Sequence, residues 1–294
     1  MPSRRTFLLG GAGVVAVGLV GAGVGIEQGV LPGRPFLQEH LGLDGEDGVI
    51  PDIEPGEVIE GSFVSEARGG VEVGWGLIMP PGGDETPLPL VIALHGLGAD
   101  HATLLGPDFG LDRYLAAYVA GGGQPFAIAA ADGGRGYWHP HEGDDASAMV
   151  TDELLPILEE RGHDTRTVGL IGWSMGGYGA LRLAGIRGPD ATTAVVASSP
   201  ALWSDPDAAS SSGFTDADEY AEYSVFHDQS DLAGIPVRVD VGTGDPFYRD
   251  VQDYVGGFPN GSDITSTFEP GGHTPGYWRR MLPAQLEFLG KAVQ

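Results

Sequence analysis

The stretch Leu170-Ile171-Gly172-Trp173-Ser174-Met175-Gly176-Gly177 constrains this chain more than any other. Gly172, Ser174 and Gly176 fit G-x-S-x-G. The apolar run 167–171 before them reads as a buried strand, and residues 179–187 behind them read as a helix. Strand, sharp turn and helix in that order form a nucleophile elbow, which holds a serine in a strained backbone conformation above a sheet. Glycines two before and two after the serine let neighbouring backbone pass where a Cβ would clash. Ser174 is therefore the candidate nucleophile.

An elbow of this kind needs an acid and then a histidine downstream. The strand-like run 235–241 leads into Gly242-Thr243-Gly244-Asp245-Pro246, so Asp245 stands in a glycine-rich turn just past a strand end. Loops at the carboxyl ends of parallel strands are where open α/β sheets place their chemistry. Asp before Pro is also a common helix cap, and the two roles can coexist. The last strand candidate, 264–269, runs into Pro270-Gly271-Gly272-His273, ahead of a C-terminal amphipathic helix. His273 is the candidate general base. His40, His101, His139, His141 and His163 precede the nucleophile, and His227 precedes the Asp245 strand, so all six fall in the wrong chain order.

The backbone N–H of Met175, directly after the nucleophile, is one expected oxyanion donor. The loop after the strand at 88–94, His95-Gly96-Leu97-Gly98, supplies the second through Leu97. His95 then reads as a brace for that loop rather than a second base.

These landmarks resemble the esterase D and antigen 85 branch of the α/β-hydrolases, which includes S-formylglutathione hydrolases, feruloyl and acetylxylan esterases and mycobacterial mycolyltransferases. The resemblance spans roughly residues 55 to 290, judged by motif order and strand spacing. It rests on Leu94-His95-Gly96, on Gly172 to Ala180, on the Asp245 turn and on the His273 loop followed by Trp278. It implies an α/β-hydrolase fold, with a mostly parallel twisted sheet, helices on both faces, and a short excursion between strands 6 and 7. It also implies that Ser174 is the nucleophile, His273 the base and Asp245 the orienting acid of a serine carboxylesterase. Gly177 after Gly176 leans toward the esterases, and no long segment is present to shape a trough for a mycolic chain. An acyltransferase of the mycolyltransferase type and a non-catalytic envelope-binding protein on the same fold are the alternatives.

At 294 residues and 41% hydrophobic content the chain can bury a full core. The formal net charge is −26 and Lys291 is the single lysine, which argues against nucleic acid and anionic membrane surfaces as partners. The expected partner is a small-molecule or carbohydrate ester. Cysteine is absent, so thiol nucleophiles, cysteine-ligated zinc, disulfides and a lipobox all fall away. Such a chain suits export in a folded state, because its stability never depends on an oxidising compartment. Arg4-Arg5-Thr6-Phe7-Leu8 resembles a twin-arginine signal, and residues 10–26 follow as an uncharged Gly/Ala/Val stretch too mild for a stable membrane span. The expected organisation is a twin-arginine-type signal over 1–26, a flexible linker over 27–57 rich in Gly, Pro, Asp and Glu, and a catalytic domain over 58–294. The expected location is outside the cell or in its envelope, reached through the twin-arginine machinery.

The strands of the sheet's first edge are expected at 58–66 and 71–79, turning at Gly69-Gly70, with another strand at 125–131 and one at 194–197. Helices are expected at 111–120, 147–161, 179–187, 246–254 and 275–289. Residues 201–234 form the only sizeable insertion, either a short cap over the acyl pocket or a surface excursion. Tyr137, Trp138 and Trp173 are the candidate substrate-pocket walls. His139 and His141, with Glu142, Asp144 and Asp145 close by in sequence, raise the question of a metal. Their alternate spacing lacks the helical geometry of H-E-x-x-H and serine chemistry needs no ion, so no metal or cofactor is expected.

Overall fold

Every residue of the runs Leu90–Leu94 and Ala127–Ala131 is buried, the mark of strands covered on both faces. In the computed structural model, which describes residues 40–83 and 87–293, they lie at the centre of an eight-stranded sheet. In chain order its strands are β1 Val58–Ser65, β2 Val71–Ile78, β3 Leu90–Leu94, β4 Ala127–Ala131, β5 Val168–Trp173, β6 Thr192–Ser198, β7 Val237–Gly242 and β8 Ile264–Glu269. Across the sheet the order is β1-β2-β4-β3-β5-β6-β7-β8. β2 pairs antiparallel with β1 and β4, and every other neighbouring pair is parallel.

Alternation along each strand splits the core into two layers. Leu90, Ile92 and Leu94 of β3, Leu170 of β5 and Val237, Val239 and Val241 of β7 face one cluster with helices Met175–Arg187 and Tyr248–Gly256. Val91 and Ala93 of β3 and Ile171 and Trp173 of β5 face the other. There they meet helices His101–Leu105, Leu111–Ala120 and Pro275–Ala292. Each fully buried Leu, Ile or Val contributes about 1.5–3 kcal/mol of hydrophobic transfer, and in a chain without cysteine this packing is what holds the layers together.

The observed elements depart from expectation at points with physical causes. One regular helix is predicted over 147–161, yet the chain runs Ala146–Ala148, a π-wound segment Met149–Leu154, then Leu155–Glu160. Pro156 has no N–H for the α ladder, and its ring crowds the carbonyl four residues back, so regular winding breaks just ahead of it. Helices His101–Leu105 and Ala217–Tyr223 are too short to leave a periodic signature.

Residues 1–26, and 27–39 of the expected linker, lie outside the described residues. Of the remainder, residues 44–50 run as a strap along the C-terminal helix rather than a loose tether. Gly48 N–H donates to the Gly276 carbonyl at 2.8 Å, and the Tyr114 hydroxyl donates to the Val49 carbonyl at 2.9 Å. Arg280 Nη1 donates to the Glu46 carbonyl at 2.5 Å and to the Asp44 carbonyl at 3.3 Å. A linker-like composition reports no periodicity, but it leaves the backbone free to bond elsewhere.

No helix among the described residues is long and apolar enough to cross a membrane. Because β3 to β8 run parallel, their carboxyl ends share one edge of the sheet. Residues 95–98, 132–141, Ser174, Asp245 and His273 all follow strands that end there.

Candidate active site

Ser174 follows β5 directly and has φ 56°, ψ −117°. A non-glycine residue held at positive φ costs about 1–3 kcal/mol. The surrounding backbone offsets this. The Ser174 carbonyl accepts from the N–H groups of Gly177, Tyr178 and Ala201 at 3.0, 3.2 and 2.9 Å, and its own N–H donates to the Ser198 carbonyl at 3.0 Å. At about 1 kcal/mol net per bond, four such bonds suffice to hold the turn. The flanking glycines are needed for close approach: a Cβ on Gly176 would overlap the Leu94 carbonyl, and one on Gly172 would overlap the Gly176 carbonyl.

The three residues picked out along the chain meet in space. Ser174 Oγ lies 2.9 Å from His273 Nε2, and His273 Nδ1 lies 2.8 Å from Asp245 Oδ2. Asp245 is buried and its other oxygen, Oδ1, accepts from the Phe247 N–H at 2.9 Å. The two oxygens of this carboxylate thus face different partners, Oδ1 the Phe247 N–H of the following turn and Oδ2 the imidazole. The helix itself starts later than expected, at Tyr248. A carboxylate facing Nδ1 requires the proton there, which leaves the Nε2 lone pair for the Ser174 hydroxyl. The imidazole is further held edge-on by Trp278 and Phe247, with ring centroids 5.1 and 5.3 Å away.

The His95–Gly98 loop passes beside the serine: a Cβ on Gly96 would lie 3.3 Å from the Trp173 carbonyl oxygen and 3.4 Å from Ser174 Cβ. The loop closes a turn through Ala99 N–H to the Gly96 carbonyl at 3.1 Å, with Gly98 at φ 81°. Leu97, within that turn, is the most exposed of its apolar neighbours. Met175 opens the helix after Ser174, a position whose N–H has no carbonyl of its own helix to bond.

His95 is fully buried and wired into this edge. Its Nε2 accepts from the Gly133 N–H at 2.9 Å, so its proton sits on Nδ1, 2.9 Å from the Gly96 carbonyl. Burial lowers its pKa, which keeps the ring neutral and suited to bracing.

The three expected pocket walls require correction. Trp173 is buried and meets Phe109 edge-on in the core layer below, because its place in the strand alternation turns it away from the site. Trp138 is buried, donates Nε1–H to the His95 carbonyl at 3.2 Å and accepts from the Ser147 hydroxyl at its own carbonyl. Tyr137 is buried among Trp203, Phe214 and Tyr178. Besides Trp278, the ring that reaches the histidine is Phe247, and Phe247 in turn meets the half-buried Trp203 of the excursion at 5.3 Å. Phe247 carries a weak signal in the sequence: it follows the Asp245-Pro246 pair that opens the acid loop.

The acids near His139 and His141 in sequence are engaged elsewhere or exposed. Asp144 accepts from Arg68 at 2.8 and 3.0 Å, Asp145 caps Ala148 at 2.9 Å, and Glu142 is exposed. The carboxylate that does face the pair is Glu219, 78 residues beyond His141 and invisible to sequence spacing.

A family model described as "Putative esterase" matches residues 69–289. A search of curated proteins gives no match. Among solved structures, the fold is similar to a ferulic acid esterase with a TM-score of 0.65, at 21% identity over 80% of this chain and 98% of that one. It is similar to an S-formylglutathione hydrolase from Agrobacterium tumefaciens with a TM-score of 0.66, at 18% identity over 85% and 99% of the two chains. It is also similar to a fluorophosphonate-binding serine hydrolase of Staphylococcus aureus with a TM-score of 0.63, at 18% identity over 81% and 99%.

Proposed function

Since the chain belongs to the esterase family of α/β-hydrolases, we propose that it is an exported serine carboxylesterase whose triad is Ser174, His273 and Asp245. The hydrogen-bonded chain from Ser174 Oγ through His273 to Asp245 carries this reading. His273 Nε2 takes the hydroxyl proton as Ser174 Oγ bonds to the ester carbonyl carbon. The carbonyl oxygen becomes an oxyanion received by the N–H groups of Leu97 and Met175. When the tetrahedral species collapses, the C–O bond to the alcohol breaks and the alcohol leaves with the proton from His273. Water then enters the same site, gives a proton to His273 and bonds to the acyl carbon; as the bond to Ser174 Oγ breaks, the acid leaves and His273 returns the proton to the serine. Asp245 holds the imidazole in the Nδ1–H tautomer throughout and stabilises the transient imidazolium.

Phe247 borders the histidine and Trp203 packs against Phe247, and these two half-buried rings form one wall of the substrate site. Arg4-Arg5 and the uncharged stretch behind them direct the folded protein through the twin-arginine route, which places the ester outside the cytoplasm.

Hydrolysis of p-nitrophenyl esters from acetyl to palmitoyl tests this reading and sizes the acyl site. Turnover that falls off with chain length is expected for a wall built from two rings. If product analysis in the presence of a sugar acceptor found acyl sugar in place of free acid, the reaction would be transfer rather than hydrolysis.

A further inference from the structure

Away from Ser174, where the loop after β4 meets the 201–234 excursion, three electron-pair donors converge that ester chemistry does not use. Donor atoms of His139, His141 and Glu219 lie within 4.8 Å of one another. Glu219 Oε1 is 3.1 Å from His141 Nδ1 and 3.7 Å from His139 Nε2.

Hydrogen bonding around the three fixes which lone pairs point inward. The Tyr178 hydroxyl donates its one proton to the Tyr223 carbonyl at 2.5 Å, so at its 3.1 Å contact with His139 Nδ1 it can only accept. The His139 proton is therefore on Nδ1 and its Nε2 carries a lone pair. That Nε2 is fully buried and has no hydrogen-bond partner. His141 Nε2 faces the Gly136 carbonyl at 2.8 Å and must donate to it, so in the neutral ring the Nδ1 lone pair faces Glu219. Glu219 Oε2 accepts from the Thr215 N–H and hydroxyl at 2.5 and 2.7 Å, leaving Oε1 toward the imidazoles. Stacking of the His139 ring on Tyr223 and Phe214, with centroids 4.8 and 5.0 Å away, fixes its plane.

A proton on His141 Nδ1 would satisfy Glu219 but leave the buried His139 Nε2 without a donor. A cation satisfies all three groups at once. Ligands held tetrahedrally at about 2.0–2.1 Å from zinc are about 3.3–3.4 Å apart, between the two separations seen here. Each imidazole also has its other nitrogen anchored to an oxygen acceptor, the outer arrangement that orients metal-bound histidines.

We propose that His139, His141 and Glu219 bind one divalent transition-metal ion, zinc above all, which fastens the excursion to the body of the domain. Two imidazoles and a carboxylate are donors suited to zinc. The net charge of −26 favours a cation at any such site. Glu219 belongs to helix Ala217–Tyr223 of the excursion, whereas both histidines follow β4, so the ion would tie together segments distant in sequence. The excursion also carries Trp203, which touches Phe247 beside His273.

The test uses the full-length chain without a histidine tag, stripped by a chelator and titrated with Zn²⁺ against a chromogenic zinc chelator. The expected result is one zinc per chain. Glu219→Gln and His141→Ala, both at half-buried positions, should each weaken binding by more than about 100-fold, the upper end of the loss expected when even an outer partner is removed. Far-ultraviolet circular dichroism of both variants should match the parent. Co²⁺ in place of zinc should give visible absorption in the parent and lose it in the variants. No stoichiometric zinc, or equal affinity in parent and variants, would overturn the proposal.

Discussion

Ser174→Ala is expected to lower ester turnover by about 10⁵–10⁶-fold while leaving the fold intact, in line with what removing a serine nucleophile does to other enzymes of this mechanism. The alanine keeps the Cβ and so meets the same backbone restriction at φ 56° that serine meets. The four backbone hydrogen bonds of residue 174 do not involve the hydroxyl and persist. What disappears is the Oγ beside His273 Nε2. Residual rate above that of water would come from the two N–H donors and from substrate positioning. Steady-state kinetics on p-nitrophenyl acetate, with a thermal melt of each protein, checks both halves of the expectation. Near-parental turnover in a folded Ser174→Ala protein would remove Ser174 from the reaction.

Asp245→Asn is expected to reduce kcat by about 10⁴-fold, close to the loss seen when the orienting acid of such a triad becomes an amide. The effect separates the two jobs of this side chain. An amide oxygen can still accept from the Phe247 N–H, so the turn that opens helix Tyr248–Gly256 survives. The other end then presents an NH₂ group to His273 Nδ1. That donor favours the tautomer with its proton on Nε2, where it can no longer accept from Ser174. It also leaves the developing imidazolium without its counter-charge. KM should change far less than kcat, because Asp245 is buried behind the histidine and does not face substrate. A collapse of the protein rather than of kcat would mean that the carboxylate serves the fold first.

The parts legible in sequence were those written locally. β3 and β4 are apolar on every residue because both faces are covered, and β5 runs into G-x-S-x-G within one short window. Ser174, Asp245 and His273 stand out because each follows a strand, and parallel strands deliver their following loops to one edge. Loop position and motif membership do not report which way a side chain points, which is why the sequence hides the burial of the Trp138 and Trp173 indoles. Strand alternation sends Trp173 into the lower core, and bonds to the His95 carbonyl and Ser147 draw Trp138 under the loop. Glu219 could not be paired with His139 and His141 from sequence, because only the tertiary path of the excursion brings it there. The strap over residues 44–50 was hidden for a related reason: its contacts run mainly through backbone carbonyls, which any composition supplies.

Whether Ser174 is a nucleophile activated by His273 is decided by covalent labelling. The protein is treated with a fluorophosphonate, a phosphorus electrophile that activated serines attack with loss of fluoride. The adduct is then located by peptide mass spectrometry. One adduct per chain on Ser174 is expected, with none in Ser174→Ala and much slower labelling in His273→Ala. Ester turnover that continues while Ser174 remains unlabelled, or an adduct on another serine that abolishes turnover, would contradict that role for Ser174.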